Sequence, residues 1–152
     1  MSSKPPIAIR VTHRYTAGAE RVFDAWLDPA MIGKFMFGSH LRDETVLHLN
    51  VDARVGGAFS FLVRRQTMVI DHVGTYTELV RPRRLAFSWS AVEAGSDPST
   101  GADSRVTIDI VPQGGGCELT LTHEIPAAWA DYAERTKAGW TTMTNALADA
   151  LA

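Results

Sequence analysis

The sequence contains little cysteine, no excess of basic charge and no long apolar run. Cys117 is the single cysteine among 152 residues, which excludes an intrachain disulfide and a cysteine zinc cage. Fifteen Lys and Arg residues stand against seventeen Asp and Glu residues, so the basic excess typical of nucleic-acid-binding proteins is missing. No apolar run approaches the roughly 20 residues that span a bilayer, and residues 1–6 lack the apolar centre of a secretion signal. We therefore expect a soluble cytoplasmic protein.

The composition that is present is typical of one ordinary globular domain. Hydrophobic residues make up 45% of the chain and charged residues 21%, and a chain of this length buries roughly 70% of its unfolded surface. We therefore expect a single domain over residues 1–152, with residues 1–6 as a flexible tail. His13, His40 and His48 show no metal-ligand spacing, so we expect neither a metal site nor a cofactor.

The first forty residues change their hydrophobic period twice. Approximate alternation over Ile7–Tyr15 predicts a strand, and helical spacing of the apolar residues from Ala19 to Leu27 predicts a short helix. Thr16 is a plausible N-cap for that helix. Asp28 followed by Pro29 predicts the start of a second short helix, with Asp as the cap and Pro at the first helical position.

After Gly38 the chain alternates between apolar and polar residues for about eighty residues. This pattern predicts six further strands, and their short connections favour an antiparallel meander. In the first of them, alternation places Leu47 and Leu49 on one face and Glu44 and His48 on the other. The connection from Glu93 to Asp103 is rich in Gly, Ser, Asp and Pro, and we expect it to be the most mobile.

The C-terminal stretch returns to helical spacing, which places its apolar residues in one stripe along a helix. Such a stripe must be buried, and the inward face of the sheet is the only large apolar surface that the predicted elements offer. The predicted architecture is α+β, a curved antiparallel sheet wrapped around a long C-terminal helix, with two short helices after the first strand. Gly139 interrupts this helix, and we expect the backbone there to pack closely against the sheet beside Trp140. The stripe consists of Trp129, Tyr132, Thr136, Trp140, Met143, Leu147 and Leu151.

Several short motifs between Ile9 and Leu151 together resemble the pattern of a known protein family. In chain order they are Ala17 and Ala19 leading to Val22-Phe23-Asp24-Ala25-Trp26-Leu27-Asp28-Pro29, Val55-Gly56-Gly57-x-Phe59, Gly74-x-Tyr76-x-Glu78, Pro82-x-x-Leu85, Ser104-x-Val106-Thr107-Ile108, Leu119-Thr120-Leu121-Thr122-His123 and Gly139-Trp140. In their order and spacing the chain resembles the activator of heat-shock-protein ATPase homologue-like proteins. These belong to the helix-grip superfamily, also called START, SRPBCC or birch-pollen-allergen-type. The resemblance implies a cavity between helix and sheet, but lipid carriers, hormone receptors, polyketide cyclases and co-chaperones share this fold.

The candidate cavity residues are those that the pattern turns toward the C-terminal helix. A pocket of apolar walls with a few polar anchors is the usual form of a small-molecule site, but the same aromatic residues could equally fill a solid core. His72 and His123 lie on otherwise apolar strand faces, where each either contacts a ligand or is a core histidine with a protein partner. The candidates are Trp26, Phe35, Phe37, Phe59, Phe61, His72, Phe87, Trp89, His123, Tyr132, Trp140 and Met143.

These observations favour binding of a hydrophobic or amphipathic small molecule without covalent catalysis. One alternative is a chaperone-associated or other protein-interaction module. Another is a cyclase- or dehydratase-like enzyme that uses His72 or His123 as a proton shuttle. A homodimer is compatible with the sequence, although no residue requires one.

Overall fold

The computed structural model describes residues 5–94 and 104–152. Its seven strands form one antiparallel sheet in the spatial order β1-β7-β6-β5-β4-β3-β2. The predicted meander is therefore confirmed for β2 to β7, and β1 closes the opposite edge by pairing with β7. The strands are β1 (Ile7–Tyr15), β2 (Thr45–Val51), β3 (Ala58–Arg65), β4 (Met68–Val80), β5 (Arg84–Glu93), β6 (Ser104–Gln113) and β7 (Gly116–Ile125).

Two short helices, α1 (Ala19–Ala25) and α2 (Pro29–Phe35), follow the first strand as predicted. The carboxylate of Asp28 accepts a hydrogen bond from the Ala30 backbone N–H at 3.0 Å, which confirms its role as the cap of α2. Thr16 as the cap of α1 is wrong. Because α1 begins at Ala19, its cap position falls on Gly18, and no side chain bonds to that helix end.

The predicted facing of β2 is also wrong, because the pairing of β2 with β3 shifts between Val46 and His48. Such a bulge inserts one extra residue, so residues on its two sides exchange faces. Val46 and Leu49 therefore pack against the core together, whereas Leu47 is 42% exposed. Glu44, which the alternation placed on the polar face, lies just before the strand and is buried.

The C-terminal segment begins with a 3-10 turn, Ala127–Tyr132, and continues as α3, Ala133–Leu151. The buried residues of α3 include Trp140, Met143, Leu147 and Leu151, which confirms the predicted stripe over the last three turns. Tyr132 departs from the stripe and is 55% exposed. A 3-10 turn has three residues per turn rather than 3.6, so the extrapolated helical period fails there.

One continuous hydrophobic core lies on the concave face of the sheet, enclosed by α1, α2 and α3. Trp26 from the end of α1, Phe35 from α2 and Trp140 from α3 meet there, with the Trp26 ring 4.9 Å from Phe35 and 6.3 Å from Trp140. The connection from Glu93 to Asp103 lies largely outside the described residues, which end at residue 94 and resume at 104.

Candidate functional site

A cavity of about 280 Å³ lies between α3 and the concave face of the sheet. Its sheet side includes Trp89, Ser90 and Ala91 of β5 and His72 of β4, which is the pairing partner of Ala91. The lining residues are His72, Trp89, Ser90, Ala91, Ser104, His123, Ile125, Trp129, Thr136, Gly139, Trp140 and Met143.

The remaining space under the helix is filled by aromatic side chains. Phe59 is the centre of this cluster, with its ring 4.8 Å from Phe61, 5.4 Å from Tyr76 and 5.5 Å from Phe87. Only a void of about 10 Å³ remains among them, which is on the scale of a single water molecule. Trp89 borders both this void and the large cavity, so it separates the filled half of the interior from the open half.

The twelve predicted cavity residues divide into three groups in the structure. His72, Trp89, His123, Trp140 and Met143 line the cavity. Tyr132 is exposed on the 3-10 turn and does not line it. The other six are buried in the core away from the cavity: Trp26, Phe35, Phe37, Phe59, Phe61 and Phe87.

Sequence reasoning did not select seven of the lining residues. Trp129 and Thr136 lie on the predicted helical stripe, whereas the strand residues among the seven carry no local signal that distinguishes them from their neighbours. Gly139 did give a signal, but the predicted close packing there is wrong: a Cβ added at this position meets no atom within 4 Å. Its lack of a side chain instead leaves room in the cavity. The others are Ser90, Ala91, Ser104, Ile125, Trp129 and Thr136.

A chain of hydrogen bonds engages both nitrogens of His123. The indole Nε1–H of Trp140 lies 3.0 Å from His123 Nδ1, and His123 Nε2 lies 2.7 Å from the Ser104 hydroxyl. An indole N–H can only donate, so Nδ1 accepts and the ring proton of the neutral imidazole is on Nε2. The Ser104 hydroxyl accepts a hydrogen bond from this Nε2–H and donates its own hydrogen bond to the Trp89 carbonyl at 2.7 Å. His123 is thus a core histidine whose partners are all within the protein.

Burial lowers the pKa of His123 to about 4, so the ring is neutral near pH 7, as the tautomer requires. The bond that it accepts also orients Trp140. The two rings meet edge to face at 5.8 Å, and Trp140 lies 5.4 Å from Trp89 across the cavity wall. His123 therefore positions one apolar wall of the cavity.

Among the described residues, only one of the two nitrogens of His72 has a hydrogen-bond partner. Its Nδ1 lies 3.1 Å from the backbone carbonyl of Phe61. A carbonyl can only accept, so the ring proton is on Nδ1 and Nε2 carries a free lone pair. Burial is the main cause that lowers the pKa of His72 to about 4, against the raising effect of the bond to Phe61. The neutral ring therefore presents a hydrogen-bond acceptor and no donor beyond Nδ1–H.

A buried ion cluster supports His72 from behind. The carboxylate of Glu44 accepts hydrogen bonds from the Gly38 backbone at 2.9 Å and from Arg42 and Arg65, each at 2.8 Å. Burial raises the pKa of Glu44, but these three groups together bring it below its ordinary value. The guanidinium of Arg42 lies 5.9 Å from the centre of the Phe37 ring, and that ring lies 4.7 Å from the ring of His72.

None of the described residues that line the cavity is an Asp, Glu, Lys or Arg. Within the described ranges 5–94 and 104–152, no group of three or more His, Cys, Asp or Glu side chains is placed to hold a metal ion. None of the helices in that part of the chain has the length and apolar character needed to cross a membrane.

Comparisons with known proteins place this fold and site in a family. Residues 16–152 match the family described as Activator of Hsp90 ATPase homolog 1-like protein. A solved structure from Chromobacterium violaceum is 28% identical, with 93% of this chain aligned to 94% of that one at a TM-score of 0.78. No curated protein sequence matches the chain.

Two more distant structures show the same fold. CalU16 from Micromonospora echinospora is 24% identical over 97% of this chain and 77% of its own, with a TM-score of 0.67. A protein from Staphylococcus epidermidis is 18% identical over 99% of this chain and 93% of its own, with a TM-score of 0.80. The family match covers nine-tenths of the sequence, and the chain belongs to the Activator of Hsp90 ATPase homolog 1-like protein family.

Proposed function

We propose that the protein binds a small hydrophobic or amphipathic molecule in the cavity between α3 and the sheet. The observation that carries this proposal is a cavity of about 280 Å³ that is bounded by Trp89, Trp140 and Met143 and has no charged side chain among its described lining residues. An apolar cavity of roughly 150 Å³ binds benzene, so the volume here suits a two-ring compound. A cavity lined mainly by apolar side chains with few polar groups is the usual form of a small-molecule site.

The two histidines favour binding over proton transfer. Both nitrogens of His123 are bonded within the protein, so it has no lone pair or proton to offer a substrate. His72 has a free Nε2, but its pKa of about 4 makes it a weak base at neutral pH. A general base works best when its pKa lies near the operating pH. A cyclase- or dehydratase-like reaction therefore has less support than simple binding.

The test uses the open position at Gly139. A leucine side chain there would extend into free space and occupy the cavity, whereas the single methyl of alanine would leave most of it open. Equilibrium dialysis with 2-naphthol should show saturable one-to-one binding to the wild type and to Gly139→Ala. We expect Gly139→Leu to bind about tenfold more weakly or not at all, because its side chain displaces the probe.

Far-ultraviolet circular dichroism and thermal unfolding of both variants serve as controls for folding. Alanine is favoured over glycine in a helix by about 1 kcal/mol, so Gly139→Ala should be at least as stable as the wild type. The proposal fails if neither 2-naphthol nor 2-methoxynaphthalene binds the wild type. It also fails if a folded Gly139→Leu binds the probe as well as the wild type, because the probe would then occupy another site.

A further inference from the structure

We propose that the cavity selects uncharged molecules that carry a hydroxyl or N–H group, and that His72 Nε2 accepts the hydrogen bond from that group. This inference rests on the proposed function, because it names the chemical class of the molecule that the same cavity would bind.

The first step is the orientation of the His72 ring. Its Nδ1 bonds to the Phe61 carbonyl across the β3–β4 pair, in which Phe61 and His72 are direct partners. The opposite nitrogen, Nε2, forms no hydrogen bond with the described residues. It is also not a fully enclosed polar atom without a partner, since Trp26 Nε1 is the single such atom in the described part of the chain. His72 lines the cavity, so its free lone pair is reached from there.

The second step is that other polar groups of the cavity wall already have partners. His123, the Trp140 indole and the Ser104 hydroxyl form one continuous chain that ends on the Trp89 carbonyl. Ser90 also interacts within the protein. Thr136 and Trp129 are partly exposed, so water can bond to their polar groups and we expect them to discriminate little between ligands. His72 is therefore the deep acceptor that a ligand must satisfy.

The third step is the absence of charge among the described residues of the cavity wall. A carboxylate or ammonium group that enters the cavity loses its water shell, and none of these residues carries an opposite charge to replace it. The charged groups near His72 are Glu44, Arg42 and Arg65, which bond to one another behind Phe37. A neutral donor avoids this desolvation, and a ligand without a donor leaves Nε2 buried and unsatisfied.

The pKa of His72 agrees with this geometry. Burial brings it to about 4, so at neutral pH the imidazole offers a lone pair and not a second N–H. It would therefore repel the oxygen lone pairs of a carboxylate or an ether in the same place.

The experiment compares three probes of one ring system: 2-naphthol, which donates; 2-methoxynaphthalene, which cannot donate; and 2-naphthoate, which is an anion at pH 7. Equilibrium dialysis with the wild-type protein should give the tightest dissociation constant for 2-naphthol. We expect about fivefold weaker binding of 2-methoxynaphthalene, the scale of one hydrogen bond, and about tenfold or weaker binding of 2-naphthoate.

Variants of His72 assign the preference to this side chain. His72→Leu removes the acceptor and should reduce the naphthol-to-methoxynaphthalene preference to about one, while 2-methoxynaphthalene still binds. His72→Gln provides both a donor for the Phe61 carbonyl and an acceptor for the ligand, so it should retain part of the preference. His40→Leu is the matched control, because His40 is exposed and outside the cavity wall, and it should keep the wild-type ratio.

The outcomes separate this inference from the proposed function. Binding of neither neutral probe to the wild type overturns both. Equal binding of 2-naphthol and 2-methoxynaphthalene, or tight binding of 2-naphthoate, overturns the inference and leaves the cavity as a nonselective apolar site. A preference for 2-naphthol that is unchanged in folded His72→Leu also overturns it. The wild-type probe series decides the question even if a His72 variant does not fold.

Discussion

At the residue scale, His72 and His123 show how one sequence signal covers two different roles. Both are imidazoles on otherwise apolar strand faces, and both are buried. His123 accepts from one side chain and donates to another, so it joins β6, β7 and α3 into one network. Among the described residues, His72 bonds only to the neighbouring strand, through Nδ1, and it lines the cavity. The difference lies in the side chains that surround each ring, and these cannot be predicted from the spacing of residues in the sequence.

The two histidines predict that stability depends on pH in a defined window. In the folded state each has a pKa of about 4 against an ordinary value of 6.5, so the unfolded chain takes up protons first as the pH falls. The free energy of unfolding should be unaffected by them above pH 6.5 and should decrease from there down to about pH 4. Between pH 7 and pH 5 we expect a loss of about 2 kcal/mol for each histidine, measured by urea unfolding.

His72→Leu supplies the control for this prediction. A leucine cannot titrate, so the variant should lose about half of the pH dependence between pH 7 and pH 5. Carboxylates with lowered pKa values, such as Glu44, lose their stabilising charge only below about pH 4.5, outside this window. A free energy of unfolding that is the same at pH 5 and pH 7 would contradict the assignment of neutral, desolvated imidazoles.

At the element scale, the two short helices differ in how the backbone N–H groups of their first turns find hydrogen-bond partners. The carboxylate of Asp28 caps α2 and Pro29 starts it, whereas α1 begins after Gly18 without any side-chain cap. Local side-chain chemistry therefore specifies the start of α2. The position of α1 depends instead on the burial of its apolar face, since Val22, Phe23 and Ala25 are buried.

This difference is testable with two alanine variants. Asp28→Ala removes the acceptor of the Ala30 N–H and should lower the free energy of unfolding by about 1 kcal/mol, the usual cost of losing an N-cap. Thr16→Ala is the matched control, since Thr16 caps no helix, and its effect should be less than half as large. Chemical denaturation of both variants measures the difference, and equal effects would argue against the cap.

At the scale of the whole molecule, Glu44 connects the helical layer with the sheet. It bonds to Gly38 and Arg42 in the segment between α2 and β2, and to Arg65 at the end of β3. Its side chain is fully buried, whereas those of Arg42 and Arg65 retain 26% and 35% of their exposure. The arginines thus bring their charge to the carboxylate while keeping contact with water.

Glu44→Gln should therefore destabilise the protein strongly. The amide keeps the shape but not the charge, so two partly buried arginines lose their counter-ion, and we expect a loss of about 3 kcal/mol in the free energy of unfolding. Asp52→Asn is the comparison, because the ion pair of Asp52 with Arg54 is largely exposed and exposed pairs contribute little. Urea unfolding at pH 7 measures both. A small effect of Glu44→Gln, similar to that of Asp52→Asn, would contradict the connecting role.

Much of the fold could be predicted because its determinants are local. The alternation of Ile7–Tyr15, the cap at Asp28 and the helical stripe through Trp140 and Leu147 are periodicities and turn signals, and each matches the observed element. Two of the errors lie where a local period is interrupted, at the bulge beside Leu47 and at the 3-10 turn that ends with Tyr132. Both interruptions depend on pairing and packing with distant segments.

The candidate site depended on tertiary structure to a much greater degree. The sequence by itself determined which residues turn toward the helix, since strand alternation has a fixed period of two. It could not determine which of these residues meet an empty space. Phe59 and Trp89 have the same pattern, but one is enclosed by aromatic rings and the other borders the cavity. That outcome is decided by how α3 lies against the strands that line the cavity, which is a relation between elements far apart in the chain.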